Sequence, residues 1–359
     1  MSGPSGLSPM TGGFPGDRAA GVWGASDTGR RNLPFFEDPA HSELILAHAD
    51  TGFLPLKYAY AGSAAFTHAA LASTEGYHSV VGTAELEVGV LMEAARGAAP
   101  TQVAEIGPGT GEHTLAFLTL LQEAAAAERA RGTAEFPLPP DDARQAGFRY
   151  LGLDFSSTLL TMARGCLATG LAVDGVPFGP FDVRTALWDV EQARTDRVGA
   201  WRRDSGPVLM CLLGHTLGNL GDPVGALRHL AASARPGDLL LVGLTLYPRD
   251  ASPDAILAPY LNDVFTAAVL EPLRAADFGA EDVLFEVRRR GRAVVGDVTF
   301  ARRVDKSGHT YRPGQRVQCF FSTRFLPNEG LEIVRQAGWT VQSYAIDQPA
   351  EHLAIVARL

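Results

Sequence analysis

The chain has 359 residues, 46% hydrophobic and 20% charged, with a formal net charge of -9 at pH 7. This is an ordinary globular composition, with length for one large domain or two modest ones sharing a core. The acidic balance argues against a general nucleic-acid binder, whose surface must neutralise phosphates, and suits a small-molecule partner.

Residues 1–31 are rich in Gly, Pro and Ser without apolar periodicity and read as a disordered tail. Residues 32–98 carry apolar positions at helical spacing, in HSELILAHA and TAELEVGVLMEAA, and form a helical N-terminal region. A regular alternation follows. TQVAEIG reads as a buried strand, HTLAFLTLLQEAAAAERA as a helix, FRYLGLD as a strand and SSTLLTMARGCLA as a helix. A weaker strand covers 183–187, VLMCLL is a fourth strand, GALRHLAASA a helix and DLLLVGLT a fifth strand. Short apolar strands alternating with helices imply right-handed crossovers and a parallel sheet covered on both faces. The alternation breaks over 247–327, where a helical stretch, ILAPYLNDVFTAAVLEPL, precedes strand-like VLFEVRRRGRAVVGDVTFARRV and QRVQCFFSTRF. This reads as an inserted lid or small domain. Residues 328–359 return to the first pattern, with EGLEIVRQAGW as a helix and WTVQSYAI and EHLAIVARL as strands that the link DQPAE lets pair antiparallel. The sheet domain is therefore expected over 99–246 and 328–359.

No run of about 20 apolar residues suggests a membrane span, and no charged start with an apolar core suggests a secretory signal. Cys166, Cys211 and Cys319 make no CxxC pair. They read as core residues in a reducing compartment, so the cytoplasm is the expected location and no metal is expected.

The turn in VAEIGPGTGEHT lies between a strand and a helix. Glycine lets the backbone turn tightly and approach a ligand without a Cβ clash. Dinucleotide enzymes place GxGxxG here, but Gly111 comes one residue too early for that fingerprint, and Glu105 precedes the turn. The combination resembles the first motif of S-adenosylmethionine enzymes. That resemblance implies close backbone approach at Gly107, Gly109 and Gly111, and an anion at Glu105 for an ammonium group. Asp154, ending the second strand, stands where a carboxylate can accept ribose hydroxyls; the alternative is a residue of the next helix's N-cap region, beside Ser156 and Ser157. Asp189 matches the adenine-amine position, or is a helix-start carboxylate favoured by the dipole.

Three further segments narrow the class. GHTLGNL resembles the G-S-T-I-G-N signature of histidine-specific, ergothioneine-type methyltransferases. LPLKYAYAGSAAFTHAAL with GYHSVVGTAE resembles their PKWFYD, GS-x-LF and EYYPTR-x-E block, and FFSTRF resembles their ISAKF segment. The resemblance covers most of the chain beyond residue 50. It implies an α/β fold with a class I methyltransferase Rossmann-like sheet, and a smaller substrate domain built from the N-terminal region and the insertion after strand 5. It also implies Asn219 and Tyr260 as contacts of an amino-acid acceptor, with Tyr60 and Tyr77 at the N-terminal tyrosines and Tyr58 a competitor for Tyr60. Each tyrosine could instead be a core-edge aromatic, and Asn219 could cap the DPVGALRHL helix or satisfy a turn.

The family's imidazole-binding Glu aligns with Phe320, and its matching Ser with Ser322. A phenyl ring removes a charge-assisted hydrogen bond to imidazole and adds an apolar wall, so an acceptor other than histidine is expected. His215 replaces the signature's small Ser; it reads either as a base or as a structural histidine. Tyr60 and Tyr77 are the candidates to receive an amine proton, directly or through a water chain. The cluster VRRRGR with Arg302 and Arg303 reads as a charged exposed edge or an anionic-substrate site. The expected protein is thus an S-adenosylmethionine-dependent methyltransferase of specialised metabolism, acting on the nitrogen of an amine or amino acid, with neither nucleic acid nor membrane as partner. The alternatives are O- or C-methylation of a natural-product intermediate, and a non-catalytic S-adenosylmethionine-binding regulator.

Overall fold

Strands form first where a run can be buried on both faces. VLMCL and LLLVGLT contain only apolar residues, Gly and one Thr, and every residue of both is buried. A computed structural model describes residues 39–96, 99–131, 147–173, 175–176, 178, 181–203, 205–248, 251–347 and 351–359. The expected tail at 1–31 lies outside them.

In chain order the helices α1 (Pro39–Asp50), α2 (Ser63–Ala72), α3 (Glu75–Val81) and α4 (Ala84–Ala94) precede β1 (Gln102–Ile106). Then come α5 (Glu112–Arg131), β2 (Arg149–Asp154), α6 (Ser157–Gly170), β3 (Asp182–Leu187), α7 (Arg197–Trp201), β4 (Val208–Leu212), α8 (Pro223–Ser233) and β5 (Leu239–Thr245). The segment after β5 holds α9 (Pro253–Leu257), α10 (Asp263–Ala275), β6 (Val283–Arg290), β7 (Ala293–Phe300), β8 (Val304–Lys306), β9 (His309–Tyr311) and β10 (Arg316–Thr323). The chain closes with α11 (Pro327–Gln336), β11 (Thr340–Ile346) and β12 (His352–Arg358).

Seven strands make one sheet in the order β11-β12-β5-β4-β1-β2-β3. The pairs among β1 to β5 are parallel. β12 runs antiparallel to both neighbours, so the expected C-terminal hairpin is present. This is the class I methyltransferase strand order. One face packs under α4, α5 and α6, with Leu91, Phe117, Leu121 and Leu167 fully buried. The other packs under α7, α8 and α11 through Val198, Leu227, Leu230 and Val334. Each such side chain contributes roughly 1.5–3 kcal/mol on burial.

A second core joins chain segments far apart in sequence. Ile45 of α1, Leu71 of α2, Phe265 and Val269 of α10, Val294 and Val298 of β7 and Phe320 of β10 share one apolar cluster. β10, β7 and β6 form an antiparallel three-stranded sheet. It is tied to the N-terminal segment by the Tyr311 hydroxyl donating to the Leu46 carbonyl at 3.0 Å and by a bridge between Phe53 and Gln318.

The helical stretch expected over ILAPYLNDVFTAAVLEPL is broken rather than continuous. A 3₁₀ turn, Ala258–Tyr260, intervenes, and Asn262 starts α10 afresh by accepting the Phe265 amide at 2.8 Å. Pro259 has no N–H for a continuing helix. The basic cluster is largely an ion-paired edge: Arg288 binds Asp297, Arg289 donates to the Tyr247 hydroxyl, Arg292 binds Glu329 and Arg302 binds Asp282. Among the described residues, no helix is long and apolar enough to cross a membrane.

Candidate active site

Strand order reverses between β1 and β4, and the crevice at such a switch opens over the carboxyl ends of the strands. A cavity of about 570 Å³ lies there. Of the residues singled out from the sequence, Tyr60, Tyr77, Glu105, Gly107, Gly109, Asp154, Asp189, His215, Asn219, Tyr260, Phe320 and Ser322 all line it. Gly111 does not.

The glycine turn explains the exception. Gly107, Gly109 and Gly111 have φ of +73°, +57° and +90°, a region other residues rarely adopt. A Cβ on Gly109 would meet nothing within 4 Å, which leaves its backbone bare toward the cavity. A Cβ on Gly111 would lie 2.8 Å from the Ala163 Cα, so this glycine lets the turn pack against α6. Gly111 thus has a packing role in addition to the one expected of it.

Glu105, 2% exposed, accepts hydrogen bonds from the Thr114 hydroxyl at 2.8 Å and the Tyr150 hydroxyl at 2.7 Å. Burial pushes its pKa up to about 7, against the downward pull of those two donors. Asp154 is likewise raised to about 7 by burial, although the Ser156 and Phe155 amides stabilise its charged form and Asp189 repels it. Its Oδ1 accepts the Ser156 amide at 2.7 Å, while Ser156 itself caps α6 through the Leu159 amide. Ser156 is therefore the cap, while Asp154 stands in the N-cap region by accepting its amide and also lines the cavity.

Asp189 precedes a turn, not a helix. Its Oδ1 accepts the Glu191 amide at 3.1 Å and its Oδ2 the Lys57 ammonium at 2.6 Å. Lys57 stands in the 3₁₀ turn Leu56–Tyr60 and also lies 5.3 Å from the centre of the Phe155 ring.

Asn219 closes the 3₁₀ turn Thr216–Asn219 after β4. Asp222, not Asn219, caps α8. The Asn219 Nδ2 donates to the Tyr60 hydroxyl at 3.5 Å, and its Oδ1 is buried with no partner among the described residues. The Tyr260 hydroxyl is buried and orphaned in the same way. Buried polar atoms normally find partners, and these two orphans belong to residues that line the same cavity. Phe320 packs edge-on to Phe265 at 4.8 Å and lies 5.6 Å from Tyr260, an aromatic wall with no carboxylate. Tyr58 packs among His41, His48 and Phe155 in the second core and does not line the cavity, so Tyr60 occupies the position for which the two competed.

The proton-accepting roles considered for three residues need correction. His215 accepts the Thr245 amide on Nδ1 at 3.2 Å, which places its proton on Nε2, 3.0 Å from the Ser322 hydroxyl. Both ring nitrogens are occupied, and burial first, then Arg324 and His352, pushes its pKa down to about 3. His215 is a structural tie, and Gly218 makes room for it: a Cβ there would sit 2.2 Å from His215 Cε1. Burial, reinforced by Tyr77, Asp154 and Tyr260, raises the Tyr60 phenol far above its ordinary value. Burial and Tyr260 raise that of Tyr77 to about 12. Both stay protonated, able to donate or accept a hydrogen bond but not to keep a second proton.

The sequence reading passed over two residues that line this cavity and one that stands behind its wall. One is Lys57. Another is His68, packed edge-on between Tyr60 at 4.6 Å and Tyr77 at 5.6 Å. The third is Glu87 of α4, which accepts the Gly214 amide at 3.0 Å and the His113 Nε2 at 2.7 Å. Burial opposes protonation of His113, but Glu87 outweighs it and the net shift is upward. None has a local signal, and Lys57 and Glu87 depend on partners outside their own segments.

No protein-family profile and no curated protein matches the sequence. Solved structures resemble its architecture. An S-adenosylmethionine-dependent methyltransferase from Clostridium acetobutylicum is 9% identical, over 82% of this chain and 97% of that one, with a TM-score of 0.41. An amino pentose methyltransferase of calicheamicin biosynthesis from Micromonospora echinaspora is 14% identical, over 79% and 94%, with a TM-score of 0.36. A glycopeptide N-methyltransferase is 13% identical, over 77% and 95%, with a TM-score of 0.38.

Proposed function

We propose that the chain is an S-adenosylmethionine-dependent methyltransferase. Its acceptor is the amine nitrogen of an amino acid or amino-acid-derived small molecule other than histidine, as in specialised metabolism. The observation that carries this reading is one cavity lined by two unlike sets of groups. One set is the bare backbone of Gly109 with the carboxylates Glu105 and Asp154. The other is Asn219 and Tyr260, whose Oδ1 and hydroxyl have no partner among the described residues.

These residues fit the cofactor. Gly109 admits close approach, Asp154 can accept ribose hydroxyls, and Glu105 lies near the turn to balance an ammonium group. Asp189, already engaged by Lys57 and the Glu191 amide, has only remaining lone pairs to offer an adenine amine. The bound cofactor supplies an activated methyl group on a sulfonium. The protein's own contribution is placement, worth up to roughly 7–11 kcal/mol in well-oriented systems. Asn219 Oδ1 accepts an N–H of the acceptor, the Tyr260 hydroxyl donates to an acceptor oxygen, and Phe265 and Phe320 exclude water from its apolar part.

The test is incubation with S-adenosylmethionine and a panel of amino acids and amines, followed by mass spectrometry. Amines with apolar side chains should gain mass in methyl increments. Histidine as the best acceptor would contradict the reading of Phe320. Asn219→Ala should weaken acceptor binding by about tenfold or more, as expected for losing a buried hydrogen bond. Cofactor affinity should hold; an equal loss of both would remove Asn219 from the acceptor-binding set.

A further inference from the structure

His68 lines the cavity, is 6% exposed, and has no hydrogen-bond partner among the described residues. Among the described residues, the other two histidines that line it are engaged, His113 with Glu87 and His215 with Thr245 and Ser322. Burial drives the His68 pKa down to about 4, so its ring is neutral, with one nitrogen a donor and the other an acceptor. A phenyl ring would pack edge-on between Tyr60 and Tyr77 equally well, whereas the imidazole adds a hydrogen-bond donor and an acceptor to the cavity wall. An imidazole here calls for a partner.

Resting on the methyltransferase reading of the cavity, we propose that His68 determines acceptor specificity: its imidazole accepts an N–H from a primary amine that carries a ring-sized apolar group. Tyr60 joins the two acceptors involved. Its ring packs on His68 and its hydroxyl takes the Asn219 Nδ2, which leaves Asn219 Oδ1 free. A neutral primary amine has two N–H donors and one lone pair. Binding one donor to His68 and the other to Asn219 Oδ1 fixes the direction of the lone pair. Phe265 and Phe320 set the apolar remainder, and the cavity's one Lys or Arg, Lys57, is held at Asp189, away from any acidic side chain of the acceptor.

The experiment uses the full chain saturated with S-adenosylhomocysteine and titrated calorimetrically with 2-phenylethylamine at about pH 9, where roughly a twentieth of an alkylamine is neutral. His68→Phe keeps the aromatic packing and removes the nitrogens; His68→Gln restores an acceptor. His68→Phe is expected to weaken 2-phenylethylamine about tenfold or more, and His68→Gln to recover about half of that loss on a logarithmic scale. S-adenosylhomocysteine should bind all three proteins within about twofold. The proposal is overturned by unchanged amine binding in His68→Phe, by parallel loss of S-adenosylhomocysteine affinity, or by a wild-type complex that does not take up 2-phenylethylamine. Failure of the wild-type protein to bind S-adenosylhomocysteine at all sinks the methyltransferase reading itself, and is seen before any amine is added.

Discussion

Glu105 and Asp154 are both pushed up to about 7, chiefly by burial. Their ordinary values are 4.5 and 3.8, so between those values and about 7 the native state holds protons that the unfolded state has lost. Their contribution to stability is therefore present at low pH and falls as pH rises through about 7. Cofactor binding should run the opposite way. A sulfonium and an ammonium favour ionised carboxylates, so affinity for S-adenosylmethionine should drop as pH falls from about 8 to 6, by up to about tenfold per group per unit. Calorimetry near neutrality in buffers of different ionisation enthalpy should show net proton release; proton uptake would contradict it. The glycines of the same turn differ in kind. Gly111→Ala should destabilise the fold by several kcal/mol, because a Cβ meets α6 backbone at 2.8 Å in addition to the cost of φ +90°. Gly109→Ala has open space and should cost only about 1–2 kcal/mol of strain, with its larger effect on cofactor affinity. Thermal unfolding and cofactor titration on each variant separate the two. In the sequence these glycines look alike, because a motif records that glycine is needed and not which neighbour forbids a side chain.

Most elements of the main sheet were legible because their pattern is local. QVAEI, VLMCL and LLLVGLT are buried throughout, and a run of that kind has few other uses at that length. The hairpin β8–β9 was not legible: its strands, VDK and HTY, carry no period. Their place is set by Tyr311 reaching Leu46, 265 positions away. Helix α7 is five residues long and owes its position to Val198 and Trp201 in the core under the sheet. Helix α4 shows how a buried polar residue can join elements that periodicity treats separately. Through Glu87 it holds both the turn after β4 and the first turn of α5. Glu87→Ala orphans the buried Gly214 amide and should cost about 2–3 kcal/mol. Glu87→Gln keeps an acceptor for that amide and should cost about 1 kcal/mol. Urea denaturation of the pair measures this; equal losses would place the energy in the charge of Glu87 instead of in its bond to Gly214.

At the scale of the whole molecule, the cavity is bounded by two cores of different origin. The sheet supplies Gly109, Asp154 and Asn219, while the N-terminal segment and the insertion supply Tyr60, His68, Tyr260 and Phe320. Nothing local in the sequence joins those last two segments, since Phe53 and Gln318 meet only in the folded chain; the family resemblance was the sole hint. Lys57 adds a link between the bodies through Asp189, 132 positions away. A ligand that fills the cavity contacts both cores at once and stabilises only the arrangement in which they face each other. Saturation at about 100 times Kd adds about 2.7 kcal/mol to the bound state, which should raise the melting temperature by several degrees. Its distribution is the sharper test. Hydrogen exchange with S-adenosylhomocysteine should show added protection at the ends of β1 and β4, and also over residues 56–81 and 258–275. Protection confined to the glycine turn and the strand ends would mean that the cofactor engages the sheet alone, and that the N-terminal segment and the insertion respond only when an acceptor arrives.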